Sequence, residues 1–185
     1  MKSKRTLTSV SIAVVLAVVG GTAGSEQDKY AVQVPDGLAF AEFKGYETWQ
    51  VVSVSHPAGA EGMGDTETLN VIVANPVMID AYAAGIPGNG KPFPDGAKAA
   101  KIQDIPKKSA EAPFTVSIPE RLKEVAFMLK DSKRFPESGG WGYALCDYDP
   151  ASDGFTPQGT GATCGAACHT IAKANDFVFT AYGKR

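Results

Sequence analysis

Leu122-Lys123-Glu124-Val125-Ala126-Phe127-Met128-Leu129-Lys130 is the stretch on which the fold turns. Val125, Phe127 and Leu129 fall on one side of an extended chain and Glu124, Ala126 and Met128 on the other, the two-residue period of a β-strand. The first set is expected in the core. Working outward, residues 49–55 and 66–74 are β-branched and roughly alternating, as half-buried antiparallel strands are. Asn75-Pro76 offers an N-cap and a first-turn proline, and Gly85 a stop, so a short helix is predicted over 77–84. Residues 85–96 form a Gly/Pro loop leading into a strand over 97–102. A further strand is expected over 139–148, with glycines that let a bulky group approach its backbone. An apolar run over 177–182 closes the chain.

These segments predict an α+β fold, a mainly antiparallel β-sheet of four or five strands with a few short helices, sandwich-like in its layering. The ends of the chain carry more specific signals. Met1 to Arg5 is basic, residues 10–19 are apolar, and Gly20-Gly21-Thr22-Ala23-Gly24 is small. That is the pattern of a secretory signal peptide, with an apolar core too short to span a bilayer, so residues 1–24 are expected to be removed and 25–185 to form one exported domain. Losing Lys2, Lys4 and Arg5 takes the net charge from -2 to -5. A mildly acidic chain with scattered lysines has no footprint for nucleic acid or anionic membrane.

Near the other end, Cys164-Gly165-Ala166-Ala167-Cys168-His169 sets two thiols and an imidazole within six residues of a chain that has three cysteines and two histidines. Two thiols can add across porphyrin vinyl groups while the adjacent His ligates the iron, which is c-type haem attachment. The common spacing is one residue shorter. Two alternatives stay open: Cys168 alone carries a thioether, or the pair forms a disulfide or idle thiols. A disulfide does not account for the His that follows. A short haem-attachment helix is predicted over 165–174. Elsewhere, His56 reads as a solvated loop residue, Met63, Met78 and Met128 as core methionines that could only in principle be axial ligands, and Cys146 as a small buried hydrophobe.

The chain resembles the cytochrome P-460 family in Gly45-Tyr46-Glu47-Thr48-Trp49, in Phe93-Pro94-Asp95-Gly96 with Lys101, in Lys130-Asp131-Ser132-Lys133-Arg134-Phe135 with Gly140-Trp141, and in Cys168-His169 with Asp176-Phe177-Val178-Phe179-Thr180. The resemblance implies a homodimer of mainly antiparallel β fold with one covalent five-coordinate haem c per chain. Cys164, Cys168 and His169 would hold the cofactor, with His169 the proximal ligand of the iron. In the family's enzymes a lysine is also bonded to the porphyrin edge and hydroxylamine is oxidised; relatives without that bond, the cytochromes c′-beta, bind nitric oxide and other gases.

The enzymes' lysine falls five residues after the glycine of Phe93-Pro94-Asp95-Gly96, at Lys101. It shares a strand face with Ala97 and Ala99, small enough to leave room for a flat macrocycle. Ala126 stands where the enzymes have a proton-relaying glutamate, and Glu124, one pleat away, is the substitute that reach would have to permit; otherwise it is an exposed strand carboxylate. Met128 faces the same side and is expected to line the distal pocket with Ala126. The first cysteine of the family often stands at the position of Gly165. The expectation is therefore redox chemistry on a small nitrogen compound, with a soluble electron acceptor, or alternatively gas binding or electron transfer without catalysis.

Overall fold

The computed structural model describes residues 28–183, except 36, 58–66, 112, 159 and 160. The predicted signal segment and Met63 lie outside the described residues. Six strands pair in chain order, each antiparallel to the next: β1 (Gln50–Ser55), β2 (Leu69–Ala74), β3 (Lys98–Ser109), β4 (Val116–Lys130), β5 (Trp141–Asp149) and β6 (Gly154–Pro157). The architecture is the expected mainly antiparallel α+β fold, built on one sheet rather than two facing ones. Helix α1 (Pro76–Ala83) joins β2 to β3, and helix α2 (Gly161–His169) follows β6.

The alternation in 122–130 sorts as anticipated. Val125, Phe127 and Leu129 enter a core on the first face of the sheet, and Met128 enters a separate one on the second. The first core is roofed by residues 29–48, three short 3-10 turns that carry no strand or helix period and give no sequence signal. Phe40, Phe43 and Tyr46 descend from them onto Phe127, with ring centroids 4.9, 4.3 and 5.3 Å away. Each fully buried aromatic of this kind contributes on the order of 2–3 kcal/mol through lost apolar exposure.

The second core is smaller and gathers Met78 and Tyr82 from α1, Phe93 from the loop, Trp141 and Tyr143 from β5, and Val178 from the C-terminal segment. Asn75 fixes α1 to the sheet. Its Oδ1 accepts from Met78 N at 3.1 Å as the helix cap and from Lys98 N at 3.0 Å, while its Nδ2 donates to Gly96 O at 2.9 Å.

Several boundaries differ from expectation for identifiable reasons. Strands β3 and β4 are much longer than 97–102 and 122–130, because residues 105–109 and 116–121 pair as a two-stranded ribbon past the last partners of β2 and β5. Pro106 and Pro119 argue against strand there. They face each other where neither strand has an outer neighbour, so no ladder bond is lost. The four-residue β6 is an addition to the expected strands. The predicted helix over 165–174 is α-helical over Gly161–His169 and 3-10 over Thr170–Asn175, with a kink at Ala172. The run 177–182 is irregular, since Phe177 has φ +64 and cannot continue as a strand.

Candidate haem site

On the second face of the sheet, the cross-strand row Ile72, Lys101, Ala126 and Leu145 follows from register: Lys101 pairs with Ile72 on one side and Ala126 on the other, and Ala126 with Leu145. Lys101, Ala126 and Leu145 are half-buried, while the flanking residues Ala99 and Met128 on one side and Gln103 and Glu124 on the other are buried. The row thus sets the small, half-buried Ala126 between Lys101 and Leu145. Lys101, Ala99 and Ala97 share this face, as the sequence suggested. Lys98 points to the other one, where its Nζ donates to Glu42 O at 2.6 Å.

Helix α2 brings His169 to the same face. Its ring lies 4.8 Å from Tyr143 and 4.9 Å from Phe179, centroid to centroid. His169 Nδ1 is 2.6 Å from the carbonyl oxygen of Phe177, an acceptor only, so Nδ1 carries the proton and Nε2 keeps its lone pair. Burial pushes the imidazole below its usual value; the Phe177 carbonyl opposes this and the charge of Lys101 adds to it. The ring is therefore a neutral donor at neutral pH. Lys101 in turn is held below the ordinary lysine value by burial, against the pull of Glu124 and Cys168 and with a push from Lys123. The mutual influence of Lys101, His169 and Cys168 brings an amine, an imidazole and a thiol into one neighbourhood.

Cys168 is exposed and carries a free thiol. Cys164 belongs to the same helix, one turn earlier; its side chain lies outside the described part of the structure. The longer motif has a local reason. A Cβ at Gly165 would sit 2.5 Å from the Cβ of Tyr143, so no cysteine fits at 165 while α2 rests on β5.

The remaining candidates fall into place. Glu124 is not the exposed strand carboxylate of the alternative reading: it is 8 % exposed, accepts a 2.5 Å hydrogen bond from Gln103 Nε2 and lies 3.3 Å from Lys123 Nζ. Met128 is buried in the second core beside Ala99, and Met78 is sealed under α1, so neither is presented as a free thioether. His56 stands at the end of β1 with its Nε2 2.6 Å from Glu67, as a surface pair. Cys146 is buried and free on the first face, its thiol pushed up to about 11 by burial and by Asp147. A groove of about 820 Å³ that includes Tyr46 and Phe155 opens on that first face and contains none of the site residues. The glycines of the predicted 139–148 strand do receive bulky groups: a Cβ at Gly139, just before β5, would fall 2.2 Å from the Phe177 ring, and one at Gly142, in β5, 2.3 Å from the Phe135 ring.

Among the described residues no group of three or more His, Cys, Asp or Glu side chains could hold a bare metal ion. A single free Nε2, a thiol next to it in sequence and the small residues Ala97, Ala99 and Ala126 on the same sheet face suit iron that brings its own nitrogen ligands, as haem does. No helix among the described residues is long and apolar enough to cross a membrane. Comparison with curated proteins returns no match. The family described as cytochrome P460 matches residues 43–180, a span from the aromatic roof of the first core to the segment beside His169. With most of its length matched, the chain belongs to the cytochrome P460 family and is a c-type haem protein.

Proposed function

We propose that this is an exported hydroxylamine-oxidising protein, residues 1–24 serving as signal peptide and 25–185 as the haem domain, with one haem bound covalently through Cys168 and Cys164, ligated by His169 and cross-linked to Lys101. The observation that carries this reading is the position of Lys101: half-buried, depressed in basicity, and in the electrostatic field of both His169 and Cys168. A depressed amine is more often neutral, and only a neutral amine is a nucleophile. Bonding to the porphyrin edge would break one N–H and one porphyrin C–H bond as the N–C bond forms, releasing two protons and passing two electrons to the soluble electron acceptor.

When bound, haem supplies the redox chemistry and the small-molecule site. The chain's own groups do the rest. His169 gives one imidazole nitrogen, and no second His or Met among the described residues is presented for a sixth position. Glu124 supplies a buried carboxylate on the face of Lys101, oriented by Gln103, and can take up protons as electrons leave for a soluble acceptor. The homodimer rests on the family resemblance.

Ala126 favours the second reading, a non-catalytic nitric oxide-binding or electron-transfer protein of the cytochrome c′-beta type, since the residue opposite Lys101 has no proton to exchange. An optical spectrum of the dithionite-reduced protein separates the two. A Soret band far to the red of an ordinary ferrous c-type haem is expected for the cross-linked enzyme; an ordinary band assigns the gas-binding role.

A further inference from the structure

We propose that Asp176 and Lys130 are positioning residues for the proximal imidazole: their buried ion pair holds the Phe177 carbonyl against His169 Nδ1 and so sets the donor strength of Nε2, an inference that rests on His169 being the iron ligand.

Lys130, the last residue of β4, is almost entirely buried, with its side chain 6 % exposed. Its Nζ donates to the two carboxylate oxygens of Asp176 at 2.8 and 2.9 Å and to Gly139 O at 2.8 Å, and it stands 5.1 Å from the centroid of the Trp141 ring. Asp176 Oδ2 also accepts from Phe93 N at 2.8 Å. The carboxylate is therefore fixed from two other parts of the chain.

What it fixes is an unfavourable turn. Asp176 and Phe177 have φ +50 and +64, consecutive left-handed positions without a glycine. A bulky aromatic residue rarely takes that conformation, and it persists only where surroundings over-determine it. Two supports do so here. The ion pair anchors Asp176, and the Phe177 ring fills the space left by the missing side chain of Gly139. The result turns the Phe177 carbonyl back along the chain to within 2.6 Å of His169 Nδ1. A glycine or asparagine at 176 would satisfy the turn, so turn geometry alone does not explain a charged residue paired with a buried lysine.

The chemical consequence follows from the two imidazole nitrogens sharing one ring. A firm acceptor at Nδ1 keeps the proton there, orients the ring and makes Nε2 a stronger donor, which favours ferric over ferrous iron.

The test uses the full-length haem-loaded protein and two variants that reach Phe177 from different sides, one through the charge of Asp176 and one through the packing of the Phe177 ring. Asp176→Asn keeps the size and tolerance of the left-handed turn and removes the charge. Gly139→Ala keeps both charged side chains and displaces the Phe177 ring, at a position whose φ of +68 also strains the new side chain. Both are expected to retain haem, to move the ferrous iron–histidine stretching band in resonance Raman to lower frequency, and to raise the reduction midpoint; Asp176→Glu is expected to recover part of both shifts. If the variants melt earlier but keep the wild-type band and midpoint, the pair is structural only and the proposal is overturned. Should Asp176→Asn fail to fold, the band and midpoint of Gly139→Ala decide between the same two outcomes. If wild-type protein carries no haem, the ligand assignment has failed, and the ¹⁵N spectrum of His169 then decides the clamp: one Nδ1–H tautomer in wild type and a mixture in the variants supports it, whereas a mixture already in wild type overturns it.

Discussion

Lys101 and Ala126 stand directly opposite each other across the β3–β4 pair, an amine beside a methyl group on the sheet face that carries His169. Cross-strand partners of this kind have Cβ atoms about 5 Å apart, so a group lying on that pair meets both. Lys101→Ala is expected to return a red-shifted ferrous spectrum to that of an ordinary c-type haem and to abolish hydroxylamine oxidation while leaving carbon monoxide binding intact. A wild-type mass equal to polypeptide plus unmodified haem, with no loss of hydrogen, would remove the cross-link.

On the proposed reading, attachment depends first on Cys168, the thiol next to His169. Haem stain should remain with the wild-type chain in denaturing electrophoresis and vanish in Cys168→Ala. Cys164→Ala should lose one thioether only, with a pyridine haemochrome shifted toward a single-vinyl adduct; an unchanged haemochrome would show that Cys164 is not bonded.

The buried Glu124 makes a kinetic prediction. If it accepts protons during turnover, Glu124→Gln should lower the rate of hydroxylamine oxidation by about 100-fold, the lower end for loss of a general base, without changing gas affinity. Ala126→Glu, which sets a carboxylate opposite Lys101, should raise the wild-type rate. Equal rates in wild type and Glu124→Gln would assign Glu124 a packing role with Gln103.

Burial of Lys101 also predicts a pH dependence in protein expressed without haem attachment. Its folded-state value lies below the ordinary 10.5, so between the two values the unfolded chain binds a proton that the folded chain does not. Stability then rises with pH across that window and is lowest below it. Lys101→Met should raise stability on the acid side and flatten this slope, as read from urea unfolding midpoints at a series of pH values.

Asn75 carries three hydrogen bonds that join α1, β3 and the turn at Gly96. Asn75→Ala should cost about 2 kcal/mol, the upper range for losing a helix cap, because buried backbone groups are left without partners. Thermal unfolding of the haem-loaded protein measures it.

Those features that rest on local periodicity are legible in the sequence. The alternation of 122–130 sorts its side chains between the two faces, and Asn75-Pro76 caps the helix as expected. The same alternation puts Lys101 and Ala126 on one face only through register, which a single strand does not reveal. What stays hidden depends on distant partners. The roof over Phe127 comes from 3-10 turns with no period to detect, the ribbon beyond Asp104 tolerates its prolines because it lacks neighbours, and Glu124 is buried by Gln103, twenty-one residues away. Phe177 reads in sequence as the start of an apolar run, whereas its backbone carbonyl is the feature that matters to His169. No side-chain pattern announces a carbonyl.

Cys146 gives the sheet a role beyond support. The thiolate is the reactive form, and a thiol pushed up to about 11 ionises at neutral pH only about once in 10⁴ molecules. It also sits on the opposite face from Cys168, with β-sheet backbone between them. In an oxidising compartment a third cysteine would ordinarily scramble the pairing of the other two or intercept an activated vinyl group. Here the sheet is a chemical partition: a porphyrin on the side of Cys168 does not meet Cys146, so selectivity in attachment would come from architecture as well as from the motif.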